Sequence, residues 1–142
     1  MAEPLNSFAT DAPRGLLILD SCILIDSLRG YEPAIRWLTK MSSRYDVTLS
    51  ISVVTVAELL SGARSEKSLA IVSRLLMQTR AIPVDYGIAE RAGSYLRSWR
   101  RSHGLLMPDA LIAATAAELG AALITRDAAH FPMAEVVVKI PY

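Results

Sequence analysis

Short apolar runs alternate with stretches of helical spacing along the chain. Residues 16–19, Leu-Leu-Ile-Leu, are the first run, rich in branched aliphatics and preceded by Pro13 and Gly15. A run apolar at every position reads as a strand buried on both faces, as in a parallel sheet. Residues 49–54 form a second strand candidate, 121–125 a third and 136–140 a fourth. Residues 81–84 make a possible short strand, which Pro83 restricts to a sheet edge or rules out. The intervening segments predict helices over 23–28, 33–41, 55–63, 67–80, 86–103 and 109–119. Their apolar positions recur on one face, as with Ile88, Ala92, Leu96 and Trp99. Pro108 opens the last helix and Gly120 stops it. Strands alternating with helices predict an α/β chain: a three-layer α/β/α sandwich with a central, mainly parallel sheet.

Composition narrows the class. The chain has 142 residues, enough for one domain with a sizeable core, and is 52% hydrophobic and 20% charged. No apolar run reaches the roughly 18 residues of a membrane span. The surplus of apolar residues, dense over 53–60 and 69–77, points to a buried sheet, a partner surface or both. Residues 1–15 hold Pro4, Asn6, Ser7, Asp11 and Pro13, lack the apolar core of a signal peptide, and read as a loose extension before a domain over 16–142. A single cysteine, Cys22, excludes an internal disulfide and suits a reducing cytoplasm. Cys22 itself reads as a small buried hydrophobe. Fifteen basic against 14 acidic residues give a net charge of +1, which neither suggests nor excludes a nucleic-acid partner.

Four acids change the picture. Asp20 follows the first strand, and Glu58 lies in Thr55-Val56-Ala57-Glu58 at a helix start. Asp109 follows Pro108, and Asp127 follows Thr125-Arg126 after the third strand. Taken singly, each also reads as a helix cap, a capping-box acid or a complement to the helix dipole. Together they occupy strand ends or the first turns of following helices, which converge on one rim of a parallel sheet. Two carboxylates about 4 Å apart repel by roughly 4 kcal/mol at an effective dielectric near 20. A divalent cation removes that conflict, and oxygen-only ligands suit Mg²⁺ or Mn²⁺.

These segments resemble the PIN-domain ribonucleases, and within them the VapC-type toxins of bacterial toxin–antitoxin pairs. The matching pieces begin with Leu19-Asp20-Ser21-Cys22-Ile23-Leu24-Ile25-Asp26 and Thr55-Val56-Ala57-Glu58-Leu59-Leu60-Ser61-Gly62. They continue with Pro108-Asp109-Ala110-Leu111-Ile112-Ala113-Ala114-Thr115-Ala116, Leu123-Ile124-Thr125-Arg126-Asp127 and His130-Phe131. The resemblance implies a PIN-like nuclease domain over 16–142, with Asp20, Glu58, Asp109 and Asp127 as catalytic acids holding Mg²⁺ or Mn²⁺. It gives Ser21 and Thr125 supporting roles and leaves Asp26 outside the metal site, as a surface acid of the first helix. It implies an endoribonuclease that cleaves RNA with metal-activated water, inhibits translation or growth, forms a homodimer and is neutralised by a cognate antitoxin. The leader of roughly 15 residues before the first strand departs from the commoner pattern.

Substrate contacts are less defined. Arg91, Arg97, Arg100, Arg101 and His103 crowd one helix around Trp99, as a basic strip for RNA or as a solvated helix face. Trp99 and Trp37 fit the apolar stripes and read as core. Arg126 and His130 flank the last acid, within reach of a phosphate or simply on the surface. One alternative is a PIN nuclease of RNA maturation or decay without an antitoxin. From other classes come an inactive binding module, against which the four acids argue, and an Mg²⁺-binding signalling receiver. The receiver needs adjacent acids after the first strand, where this chain has Asp20-Ser21-Cys22.

Overall fold

The computed structural model describes residues 14–142, so most of the extension assigned to 1–15 lies outside the described residues. Five parallel strands form one sheet: β1 (Gly15–Leu19), β2 (Val47–Ser52), β3 (Arg80–Ile82), β4 (Ala122–Ile124) and β5 (Val138–Lys139). Their order is β3-β2-β1-β4-β5. Six helices cover it: α1 (Ser21–Leu28), α2 (Glu32–Ser42), α3 (Val53–Ser61), α4 (Glu66–Leu76), α5 (Tyr86–His103) and α6 (Met107–Leu119). The three-layer α/β/α sandwich expected from the sequence is what forms. A flavodoxin-like receiver would have the order 2-1-3-4-5, so the strand order excludes that alternative.

Alternation along β1 builds both halves of the core. Ile18 packs with Ala92, Ile112 and Leu123 under α5 and α6. Leu17 and Leu19 pack with Ile23, Leu38, Ile51 and Leu59 under α1, α2 and α3. All three β1 residues are wholly buried, which is why the run carries no polar position. Helix α6 is largely apolar, and its Ala110, Ala113, Ala114 and Ala116 are fully buried. Their small side chains bring the helix against the sheet, and Gly120, left-handed at φ 60°, ends it and turns the chain into β4.

Several boundaries differ from the expected ones. β2 stops at Ser52, not 54, because the Ser52 hydroxyl accepts the Val54 N–H at 3.1 Å and starts α3 there. That cap overrides the β-propensity of Val53 and Val54. Thr55, expected to cap the helix, is instead fully buried within it. Helix α4 ends at Leu76, and Arg80 already belongs to β3. β3 is an edge strand that stops immediately before Pro83, as the proline requires. Among the described residues, no helix is long and apolar enough to cross a membrane.

Candidate active site

The sheet order places a switch point between β1 and β4. Chain growth runs outward from β1 through β2 to β3, then returns to the other side of β1 as β4. The crevice beyond the carboxyl ends of two such strands is where open α/β sheets bind ligands. Leu19 is in register with Ile124, so the next residues, Asp20 and Thr125, emerge side by side.

Asp20 is at the N-cap position of α1, yet its side chain caps nothing. Its main-chain N–H donates to Ile124 O at 2.9 Å, and its carboxylate turns to the crevice. There Oδ2 accepts from Thr125 Oγ1 at 2.7 Å and from Cys22 Sγ at 3.5 Å, while Ser21 Oγ lies 3.5 Å from Oδ1. The cap explanation for this acid therefore fails. Thr125 is fully buried, and the same Oγ1 accepts the Asp127 N–H at 3.0 Å. Asp20, Cys22 and Asp127 offer ligand atoms that all lie within 4.8 Å of one another.

Glu58 on α3 and Asp109 on α6 lie near enough to feel these charges. Burial raises the Glu58 carboxyl above its ordinary value, and the nearby Asp20 and Asp109 charges raise it further. One of its oxygens, Oε1, is buried without a hydrogen-bond partner among the described residues. Burial also raises Asp109, as do Asp20 and Asp127, while His130 pulls it down. Glu58, with its orphaned oxygen, and Asp109, both raised by burial and by neighbouring acids, line an acidic crevice beside Asp20 and Asp127. The donor set is mostly hard oxygen, which fits a divalent ion such as Mg²⁺ or Mn²⁺.

Cys22 belongs to this crevice and is not merely an apolar filler, which corrects the expectation. Its half-buried thiol contacts both Asp20 and Thr125, at 3.5 and 3.7 Å. Burial, then Asp20, push it up to about 11, so it is a protonated donor near neutral pH. Its place in the segment after Asp20 was the available signal, but the packing of Thr125 against it is a tertiary contact.

Asp26 also departs from expectation. It is buried, not on the surface, accepts a hydrogen bond from Tyr142 and forms an ion pair with Arg126. Arg126 is thereby paired with Asp26 through its Nε. Arg91 leaves the proposed basic strip, since it pairs with Glu118 at 2.6 Å and Glu135 at 3.6 Å toward the far end of α6. Arg97, Arg100 and Arg101 are exposed near the end of α5 that leads into α6 and Asp109. Trp99 packs on the α5–α6 core and Trp37 on the opposite core, as their spacing predicts.

Known proteins resemble this chain in sequence and fold. A PIN-domain family model matches residues 17–136. The chain is 44% identical over 121 residues to ribonuclease VapC10 of Mycobacterium tuberculosis, covering 84% of this chain and 89% of that protein. It is 36% identical over 117 residues to ribonuclease VapC19 of the same organism, covering 82% and 92%. Among solved structures, a toxin–antitoxin complex from Klebsiella pneumoniae superposes with a TM-score of 0.71 at 28% identity, over 89% of this chain and 98% of that one. With the family model spanning residues 17–136 and relatives at 44% and 36% identity, the chain belongs to the PIN-domain family.

Proposed function

We propose that this protein is an Mg²⁺- or Mn²⁺-dependent endoribonuclease and the toxin of a bacterial toxin–antitoxin pair. The observation that carries the proposal is the gathering of Asp20, Glu58, Asp109 and Asp127 around one crevice, with Glu58 and Asp109 raised by burial and by the neighbouring acids and no cap role for Asp20. The ribonuclease names of the 44% and 36% identical relatives support the substrate class. Asp20, Asp109, Asp127 and Glu58 would hold the ion. Bound there, a divalent ion supplies an acidified water nucleophile and offsets charge on the phosphate under attack. Thr125 fixes Asp20 Oδ2 and the Asp127 main chain, so two of the acids keep their spacing without relying on an ion. The Ser21 hydroxyl, between Asp20 and Glu58, favours the charged form of Glu58. Arg97, Arg100 and Arg101 stand as candidates for the RNA backbone.

The partner reading rests on the toxin–antitoxin complex it resembles at 28% identity. A groove of about 380 Å³ runs between α1, α3 and α4, lined by Ile25, Leu28, Leu59, Ile71 and Val72, with Glu58 in its wall. An antitoxin segment seated there would reach the acid crevice. Exposed Val53, Leu60, Leu69 and Met77 add apolar surface for a homodimer or for the antitoxin. Cleavage of cellular RNA would place the protein in the cytoplasm and inhibit translation or growth.

The test is RNA cleavage with Mn²⁺ or Mg²⁺, with and without chelator, for wild type, Asp20→Asn and Asp109→Asn. Each variant is expected to lose at least about 10²-fold in rate, and chelator to abolish cutting. Variants that cut like wild type would remove the assignment.

A further inference from the structure

Asp26 is 8% exposed and sits six residues beyond Asp20 in α1. Its Oδ2 lies 2.6 Å from Arg126 Nε in an ion pair and accepts the Tyr142 hydroxyl at 2.8 Å. The Tyr142 ring in turn packs on Tyr31, with centroids 5.7 Å apart and planes at 58°. A buried oxygen thus holds a cation and a hydroxyl donor, the donor backed by an aromatic contact.

Arg126 lies between Thr125 and Asp127, in the segment that shapes the crevice. Its main-chain N–H faces the Cys22 sulfur, which is itself 3.5 Å from Asp20 Oδ2. The guanidinium is therefore rooted within a side-chain length of the carboxylates. Arginine is a flexible, always charged, bidentate partner for such groups. Left free, it would neutralise the cluster from within. Among the described ion pairs it engages Asp26 and not its neighbour Asp127.

We infer that Asp26 is a positioning residue that holds the Arg126 guanidinium off the Asp20–Asp127 carboxylates, keeping the crevice open to a cation. Resting on the metal reading above, this assigns a role to an acid outside the ligand set. The Tyr142 hydroxyl steadies the receiving oxygen.

The test combines Mn²⁺ titration calorimetry with a crystal structure of the metal-free Asp26→Asn protein. Asp26→Asn is expected to bind Mn²⁺ about 10- to 100-fold more weakly than wild type, the range for losing an outer-shell partner. Asp26→Asn/Arg126→Gln is expected to return to near wild-type affinity, because the released cation is gone. In the crystal structure, Arg126 should have turned onto Asp20 or Asp127. A double variant as weak as the single one would mean a purely structural role and would overturn the inference. So would an Asp26→Asn protein with wild-type affinity, or one whose Arg126 stays at position 26. Wild type that binds no Mn²⁺ would defeat the metal reading, and the crystal structure would still decide where Arg126 goes.

Discussion

Thr125 Oγ1 donates to Asp20 Oδ2 at 2.7 Å, joining residues 105 positions apart, and accepts from the Asp127 N–H. One buried hydroxyl thus sets the spacing of the first and last acids. Register makes it possible: β1 and β4 are neighbours, and Leu19 pairs with Ile124.

Thr125→Val keeps the shape and removes both bonds. It is expected to slow RNA cleavage about 10- to 100-fold and to cost about 1–3 kcal/mol in urea unfolding, since the buried Asp20 carboxylate loses its hydroxyl donor. Thr125→Ser should recover most of both. Wild-type rates for Thr125→Val would show that the hydroxyl does not set the site.

Mutual repulsion among the acids makes the metal-free crevice a weak point of the fold. Asp109→Asn is expected to raise the thermal midpoint in chelator by about 2–4 °C, the shift given by a relief of roughly 1 kcal/mol in a domain of this size. That figure is kept small because Asp109 is only half-buried and partly screened. Added Mn²⁺ should reverse the ranking, stabilising wild type more than the variant. A variant less stable than wild type in chelator would contradict the repulsion.

The pH dependence follows from the same carboxyls. Glu58 and Asp109 are both raised in the folded chain, so the fold binds their protons better than the unfolded chain does. Their contribution to stability is fully present below the unfolded value, near about pH 4, and is lost as pH rises through the folded values. In chelator, the advantage of Glu58→Gln over wild type should therefore grow between about pH 4 and pH 7. Paired unfolding curves at the two pH values measure it, and a constant difference would refute the shift.

Cys22, pushed up to about 11, should react slowly with iodoacetamide at neutral pH. The expected rate is at least about tenfold below that of a free thiol, because thiolate is the reactive form. As the only cysteine, it gives an unambiguous signal by mass spectrometry. Rapid labelling in the native protein would mean that the crevice does not hold the thiol as described.

Arg100 and Arg101, exposed in the last turn of α5, are the sharper candidates now that Arg91 is committed to Glu118 and Glu135. Arg100→Ala/Arg101→Ala is expected to weaken single-stranded RNA binding and to lower the salt slope by roughly one to two. Fluorescence anisotropy across a salt series reads both. An unchanged slope would return these residues to an ordinary solvated face.

Helix existence was legible wherever apolar spacing was long, as in Tyr86–His103, whose bounds match. Boundaries were less so. Val53 and Val54 look like strand, and only the Ser52 hydroxyl on the Val54 N–H turns them into helix. Asp26 looked like a surface acid because its partners, Arg126 and Tyr142, are 100 and 116 positions away. Cys22 looked like filler for the same reason.

The sequence by itself determined the layered α/β plan and set four acids at strand ends or helix starts, because strand burial and strand-end residues are written in local runs. Tertiary structure decided which neighbours each acid has. Strand order put β4 beside β1, so Thr125 reached Asp20 and Arg126 reached Asp26. Those contacts depend on register between distant segments, and register is fixed only when the sheet closes its hydrogen bonds.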